Sequence, residues 1–154
     1  MKVKVLILEG DVTWLNKIKL ERQIEKIINE DVYETDNILF TYLNKLLHDL
    51  GMPSNVKGFQ YVTHAILMVY ENPLLGSKIT KILYPNISSK YNTSVAGVER
   101  NIRHSIDISW LRGDIDLMQE IFGNSISIEK ARPTNSEYIV TIADKLRLDM
   151  NKTK

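Results

Sequence analysis

The sequence predicts a mainly α protein: a compact domain of six to seven helices containing a helix-turn-helix, preceded by a short strand-helix segment. Three observations point there. Apolar residues recur every three to four positions through most of residues 37–146, as on one face of a helix. Start and stop chemistry divides that pattern, with Gly51 and Pro53 after one stretch and Asn72-Pro73 after the next. A β-type apolar run, VKVLIL, occurs once, at residues 3–8.

That run predicts a strand, and it is too short for a signal-peptide core or a membrane span. Glu9-Gly10-Asp11 then turns into a helix over 13–29 with Trp14, Ile18, Ile24, Ile27 and Ile28 as its apolar positions. The acidic, polar segment 30–37 reads as a linker. Asp36 can cap the next helix, in which Ile38, Leu39, Tyr42, Leu43, Leu46, Leu47 and Leu50 share a face. Gly51 fits the position after its end. A third helix spans 55–71, and Ser77 can cap a short one at 78–83. After Gly113, Asp114 can cap a helix over 115–122 that Gly123 ends. Residues 124–133 form a loop. Thr134-Asn135-Ser136-Glu137 is a capping box ahead of Ile139, Ile142, Ala143 and Leu146. The domains are therefore expected at 1–35 (a β-α segment) and 36–150 (a helical domain), with a polar tail at 151–154.

With 154 residues, 44% of them hydrophobic, the chain can bury one real core. It has no cysteine, which excludes disulfides, a thiolate nucleophile and thiolate metal sites. His48, His64 and His104 are too scattered for a zinc cluster. Glu9 and Asp11 lack a third ligand for a divalent ion, so turn and cap roles fit better. Ser105, His104 and Asp107 are crowded on one helix without an oxyanion site, and catalysis is not expected. A cytoplasmic, non-enzymatic protein with no cofactor, no metal and no membrane association is the expectation.

The most informative stretch is 84–113, YPNISSKYNTSVAGVERNIRHSIDISWLRG. A short helix over 85–91 begins with Pro in its first turn, where the missing N–H matters least. Asn92-Thr93-Ser94 makes a break, with Asn suited to a left-handed turn and Thr or Ser to capping. In the helix that follows, Val95, Val98, Ile102, Ile106 and Trp110 mark a buried face. Gly97, Arg100, Asn101 and His104 form a separate stripe with Arg103 beside it. A tight turn followed by a helix with arginines and an amide near its start is the pattern of a DNA-reading helix-turn-helix. The net charge of +1 hides an asymmetry: residues 78–112 carry six Lys/Arg against two Asp/Glu, whereas 1–50 carry seven against nine. A basic excess around this stretch suits phosphate contact.

Four segments carry a resemblance: GMPSNVKGFQYVTHAI (51–66), LYPNISSKYNTS (83–94), VERNIRHSIDISWLRGDID (98–116) and KARPTNSEYIVTIADKLRLD (130–149). They resemble, in the same order, the DNA-binding effector domain of the stage 0 sporulation protein A response-regulator family. The resemblance implies an all-helical domain that binds double-stranded DNA, as a homodimer or tandem dimer, and touches an RNA polymerase sigma factor near the segment after the recognition helix. It places Glu99, Arg100, Arg103 and His104 on the reading surface. Lys130 and Arg132 fall in a loop that approaches the DNA backbone, and the helix start at Ser136 also faces phosphates. Arg100 is the expected base-edge contact, and Arg103 is expected to bond a phosphate or orient through Glu99.

Two departures qualify the resemblance. Where the family has Ser-Arg before Val-Glu-Arg, this chain has Ala96-Gly97. An arginine able to bond a guanine edge twice, a contact worth ~1–3 kcal/mol of discrimination, is missing. Upstream, KVKVLILEGD resembles only the first strand of a phosphoacceptor receiver, and its acidic pair has become Glu9-Gly10. Residues 1–35 thus read as a receiver remnant or an unrelated extension. The function expected is a sequence-specific DNA-binding transcriptional regulator not controlled by aspartyl phosphorylation. The alternative is a protein-interaction antagonist that pairs with a full-length regulator and binds DNA weakly or without specificity.

Overall fold

The computed structural model describes residues 14–123 and 132–152. The strand expected at residues 3–8, together with Glu9 and Asp11, lies outside them. The described elements are α1 (Trp14–Asp49), α2 (Lys57–Glu71), α3 (Tyr84–Lys90), α4 (Val95–Arg112), α5 (Ile115–Phe122) and α6 (Asn135–Lys152). A 3-10 turn (Pro73–Ser77) and a π-helical turn (Ile79–Leu83) join α2 to α3. No helix among the described residues is long and apolar enough to cross a membrane.

Two units are distinguished, residues 1–41 with 154 and residues 42–153. In the first, the described part is residues 14–41 of α1. The linker expected at 30–37 is helical instead, and Asp36 is an interior residue rather than a cap. Acidic and polar residues do not break a helix, and no Gly or Pro occurs between Trp14 and Asp49. Ile24, Ile27, Ile28 and Val32 are exposed along this stretch.

The second unit holds the core. Leu43, Leu47 and Leu50 from the end of α1 are fully buried with Val62 and Ile66 of α2, Ile87 of α3, Ile102 and Ile106 of α4, and Ile142 and Leu146 of α6. α1 stops as its glycine dictates: Gly51 adopts φ 77°, its N–H reaches His48 O at 2.8 Å, and Met52 N–H reaches Leu47 O at 2.9 Å. α2 packs against both α4 and α6. Gly58 allows the first of these approaches, since a Cβ there would collide with the backbone oxygen of Asn101 and with Ser105 Oγ. Phe122 of α5 stacks on Tyr138 of α6, with ring centroids 5.3 Å apart.

Three local expectations change. Val95, expected on the buried face of α4, is 38% exposed because it occupies the first turn, before the helix reaches the core. Trp110 is half-buried, its ring edge-on to Phe122. Ser77 caps nothing; its hydroxyl donates back to Leu74 O at 3.1 Å.

Candidate nucleic-acid interface

The helix-turn-helix is assembled by local bonds that the sequence encodes. α3 ends at Lys90, and Asn92 takes the left-handed conformation with φ 48°. Ser88 closes the turn, accepting from Thr93 N–H through its carbonyl at 3.0 Å and donating to Thr93 O through its hydroxyl at 2.7 Å. Ser94 then caps α4, its Oγ accepting from Gly97 N–H at 3.0 Å. Each bond spans at most five residues, so the turn geometry follows from short-range chemistry.

The exposed side of α4 carries Glu99, Arg100 and His104, with Arg103 half-buried beside them. Arg100 has no hydrogen bond or ion pair among the described residues, so its five donors face outward. Asn101 is different: its Nδ2 donates to Gly97 O at 2.7 Å, engaging the amide with its own helix. Arg103 is also engaged. Its Nη1 donates to Pro133 O at 2.6 Å and its Nη2 lies 2.8 Å from Asp107 Oδ1. The carboxylate that meets Arg103 is therefore Asp107, four residues later, rather than Glu99. The carbonyl of Pro133 draws the guanidinium to that side of the helix.

The start of α6 is pinned to α4 at three points. Arg103 holds Pro133. Arg132 Nη1 lies 3.0 Å from the same Asp107 oxygen. Asn135 Nδ2 donates to Tyr84 OH at 3.0 Å and to Glu99 O at 3.2 Å. The capping box forms as expected: Thr134 N–H donates to Glu137 Oε2 at 2.7 Å, and Glu137 N–H donates to Thr134 Oγ1 at 3.2 Å.

Between these parts lies an open groove of about 1400 Å³. Its walls bring together Glu99, Arg100, Arg103 and His104 of α4, Thr134, Asn135 and Ser136 at α6, and Ser77, Lys78 and Lys81 of the α2–α3 connection. Arg132 sits at its edge through Asp107, while Lys130 lies outside the described residues. Lys78 and Lys81 were not singled out from sequence. The π-helical turn and its N-cap, Lys78, carry them to the groove, and the basic excess over 78–112 was the available pointer. Ser105, His104 and Asp107 form no relay: Ser105 is buried against α2, His104 is exposed, and Asp107 serves the two arginines.

A tightly capped turn, an outward helix carrying an unengaged arginine and a cation-lined groove beside it define a helix-turn-helix DNA-binding domain. The family described as sporulation initiation factor Spo0A, C-terminal part, matches residues 43–146. The match covers more than half of the chain, and the protein belongs to that family, whose members are DNA-binding effector domains of a sporulation response regulator.

Proposed function

We propose that the protein is a sequence-selective transcriptional regulator that docks α4 in the DNA major groove and acts without aspartyl phosphorylation. The observation that carries the reading is Arg100: exposed, unengaged, and lining the same groove as Lys78 and Lys81. Arg100 reads a base edge, since arginine presents paired donors matched to guanine. His104, Lys78, Lys81, Lys130, Arg132 and the helix start at Ser136 approach backbone phosphates, which fix register without reading sequence. Glu99 lines the same groove. Independence from phosphorylation is supported by Glu9-Gly10 replacing an acidic pair and by the helix α1, which immediately precedes the effector core. Leu111 in the last turn of the recognition helix and Ile115 just beyond it, 81% and 72% exposed, suit contact with an RNA polymerase sigma factor. Binding as a homodimer or tandem dimer extends the same reading.

The test is selection of bound duplexes from a random pool, followed by gel-shift titration in rising salt. A defined box and a roughly 10-fold or greater loss for Arg100→Ala are expected, in line with ~1–3 kcal/mol per base-edge contact. Equal binding of the variant to its best site would remove Arg100 from the reading role.

The exposed Ile24, Ile27, Ile28 and Val32 on α1 favour a second reading, an antagonist that pairs with a full-length regulator through protein contact. Size-exclusion with that regulator separates the two: a complex formed with no duplex shift supports the antagonist.

A further inference from the structure

We propose that Asp107 is an internal competitor for the DNA backbone, holding Arg132 on the recognition helix until a phosphate replaces it. The inference rests on the DNA-binding reading above. A carboxylate on the side of a recognition helix that carries its cations opposes the phosphates electrostatically, so its presence asks for a reason. The geometry supplies one. A single oxygen of Asp107 lies 2.8 Å from Arg103 and 3.0 Å from Arg132. The two arginines are not held alike. Arg103 has a second anchor in the carbonyl of Pro133 at 2.6 Å and stays in place whatever Asp107 does. Arg132 has no other partner among the described residues, and its side chain is 52% exposed. The shared oxygen is buried and makes no hydrogen bond, and the Arg132 arm faces solvent, so the half-exposed pair is readily exchanged. When a duplex enters the groove, Arg132 passes from carboxylate to phosphate, while Asp107 remains paired with Arg103.

Asp107 thus cancels one positive charge of the interface. It lowers affinity for every duplex alike, because phosphate contacts carry no sequence information. The residue sets affinity without touching a base and leaves the ratio between duplexes unchanged.

The experiment compares wild type, Asp107→Asn, Arg132→Ala and the double variant by titrating a selected duplex and a random duplex between 50 and 200 mM salt. Glu71→Gln, an exposed residue of α2, controls for net charge. Asp107→Asn is expected to tighten both duplexes by a similar factor with the salt slope unchanged, since Arg132 meets phosphate in the complex either way. Adding Arg132→Ala abolishes the gain, and Glu71→Gln leaves both affinities at the wild-type value. A gain for Asp107→Asn that survives Arg132→Ala, or weaker binding by a folded variant, overturns the proposal. Should Asp107→Asn fail to fold, Arg132→Ala alone decides: the slope becomes shallower by about 0.9 if Arg132 meets phosphate, and an unchanged slope rejects it. If wild type shows no salt-dependent binding at all, the DNA-binding reading fails first.

Discussion

Ser109 donates its hydroxyl to the backbone oxygen of Leu50 at 2.6 Å, tying the recognition helix to the end of α1 through a fully buried contact. With that hydrogen committed, the 3.0 Å contact to Tyr138 OH runs the other way, Tyr138 donating to Ser109 Oγ. One small side chain thus satisfies a carbonyl on one element and a phenol on another. Burial raises the pKa of Tyr138, with the Ser109 contact opposing, so the phenol stays neutral and must find a partner. Ser109→Ala is expected to destabilise the domain by about 1–3 kcal/mol, the range for buried polar groups left unpaired. Urea unfolding checks it through a lower midpoint at unchanged m.

Gly58→Ala is expected to be severe for a different reason. A Cβ at Gly58 meets a backbone oxygen of α4 as well as Ser105 Oγ, and the backbone cannot swing aside. Overpacking of this kind costs about 1–3 kcal/mol or more. Because the displaced element is α4, duplex affinity should fall together with stability. A variant as stable as wild type would show that α2 and α4 are not locked at this distance.

Thr134→Ala removes half of the capping box and should cost about 1 kcal/mol. The same substitution loosens the start of α6, where Pro133 and Asn135 meet α4. Thermal unfolding measures the first effect, and amide exchange across residues 135–138 the second, with faster exchange in the variant.

A pH dependence is expected from His64. Burial holds its pKa below the ordinary 6.5, Lys90 adds to the effect and Asn86 opposes it. Lys90 Nζ lies 3.0 Å from Nδ1, so the neutral ring accepts from the ammonium. As pH falls below 6.5 the unfolded chain takes up the proton first. This contribution to stability is therefore complete above 6.5 and lost progressively as pH drops toward the folded value. Urea midpoints measured from pH 7.5 to 5 should decline in wild type and decline less in His64→Gln.

The parts legible in the sequence were those whose bonds close within a few residues. Gly51 after α1, Asn92 in the turn, Ser94 and Asp114 as caps and the Thr134–Glu137 box each follow from side-chain chemistry at fixed spacing. The mainly α class followed from periodicity. Composition misled at 30–37, where acidity suggested a linker but nothing interrupts the helix. The partner of Arg103 was not legible either. Glu99 and Asp107 both lie four residues away, and only Pro133, brought in from a distant part of the chain, decides which way the guanidinium turns. Lys78 and Lys81 entered the groove for the same reason: its walls come from three elements far apart in sequence.

Gly97 sits inside the cap of α4, where a Cβ would stand 2.9 Å from Ser94 Oγ and 3.1 Å from Thr93 Oγ1. Restoring an arginine there would press on the hydroxyl that starts the recognition helix, so the family's reading residue cannot be put back without disturbing its support. Under the proposed DNA-reading function this is a loss of information as well as of affinity. The sequence logo of its selected sites should carry one blank column beside the base step proposed for Arg100. A single genome would then hold several times more acceptable sites than a fully armed relative could use.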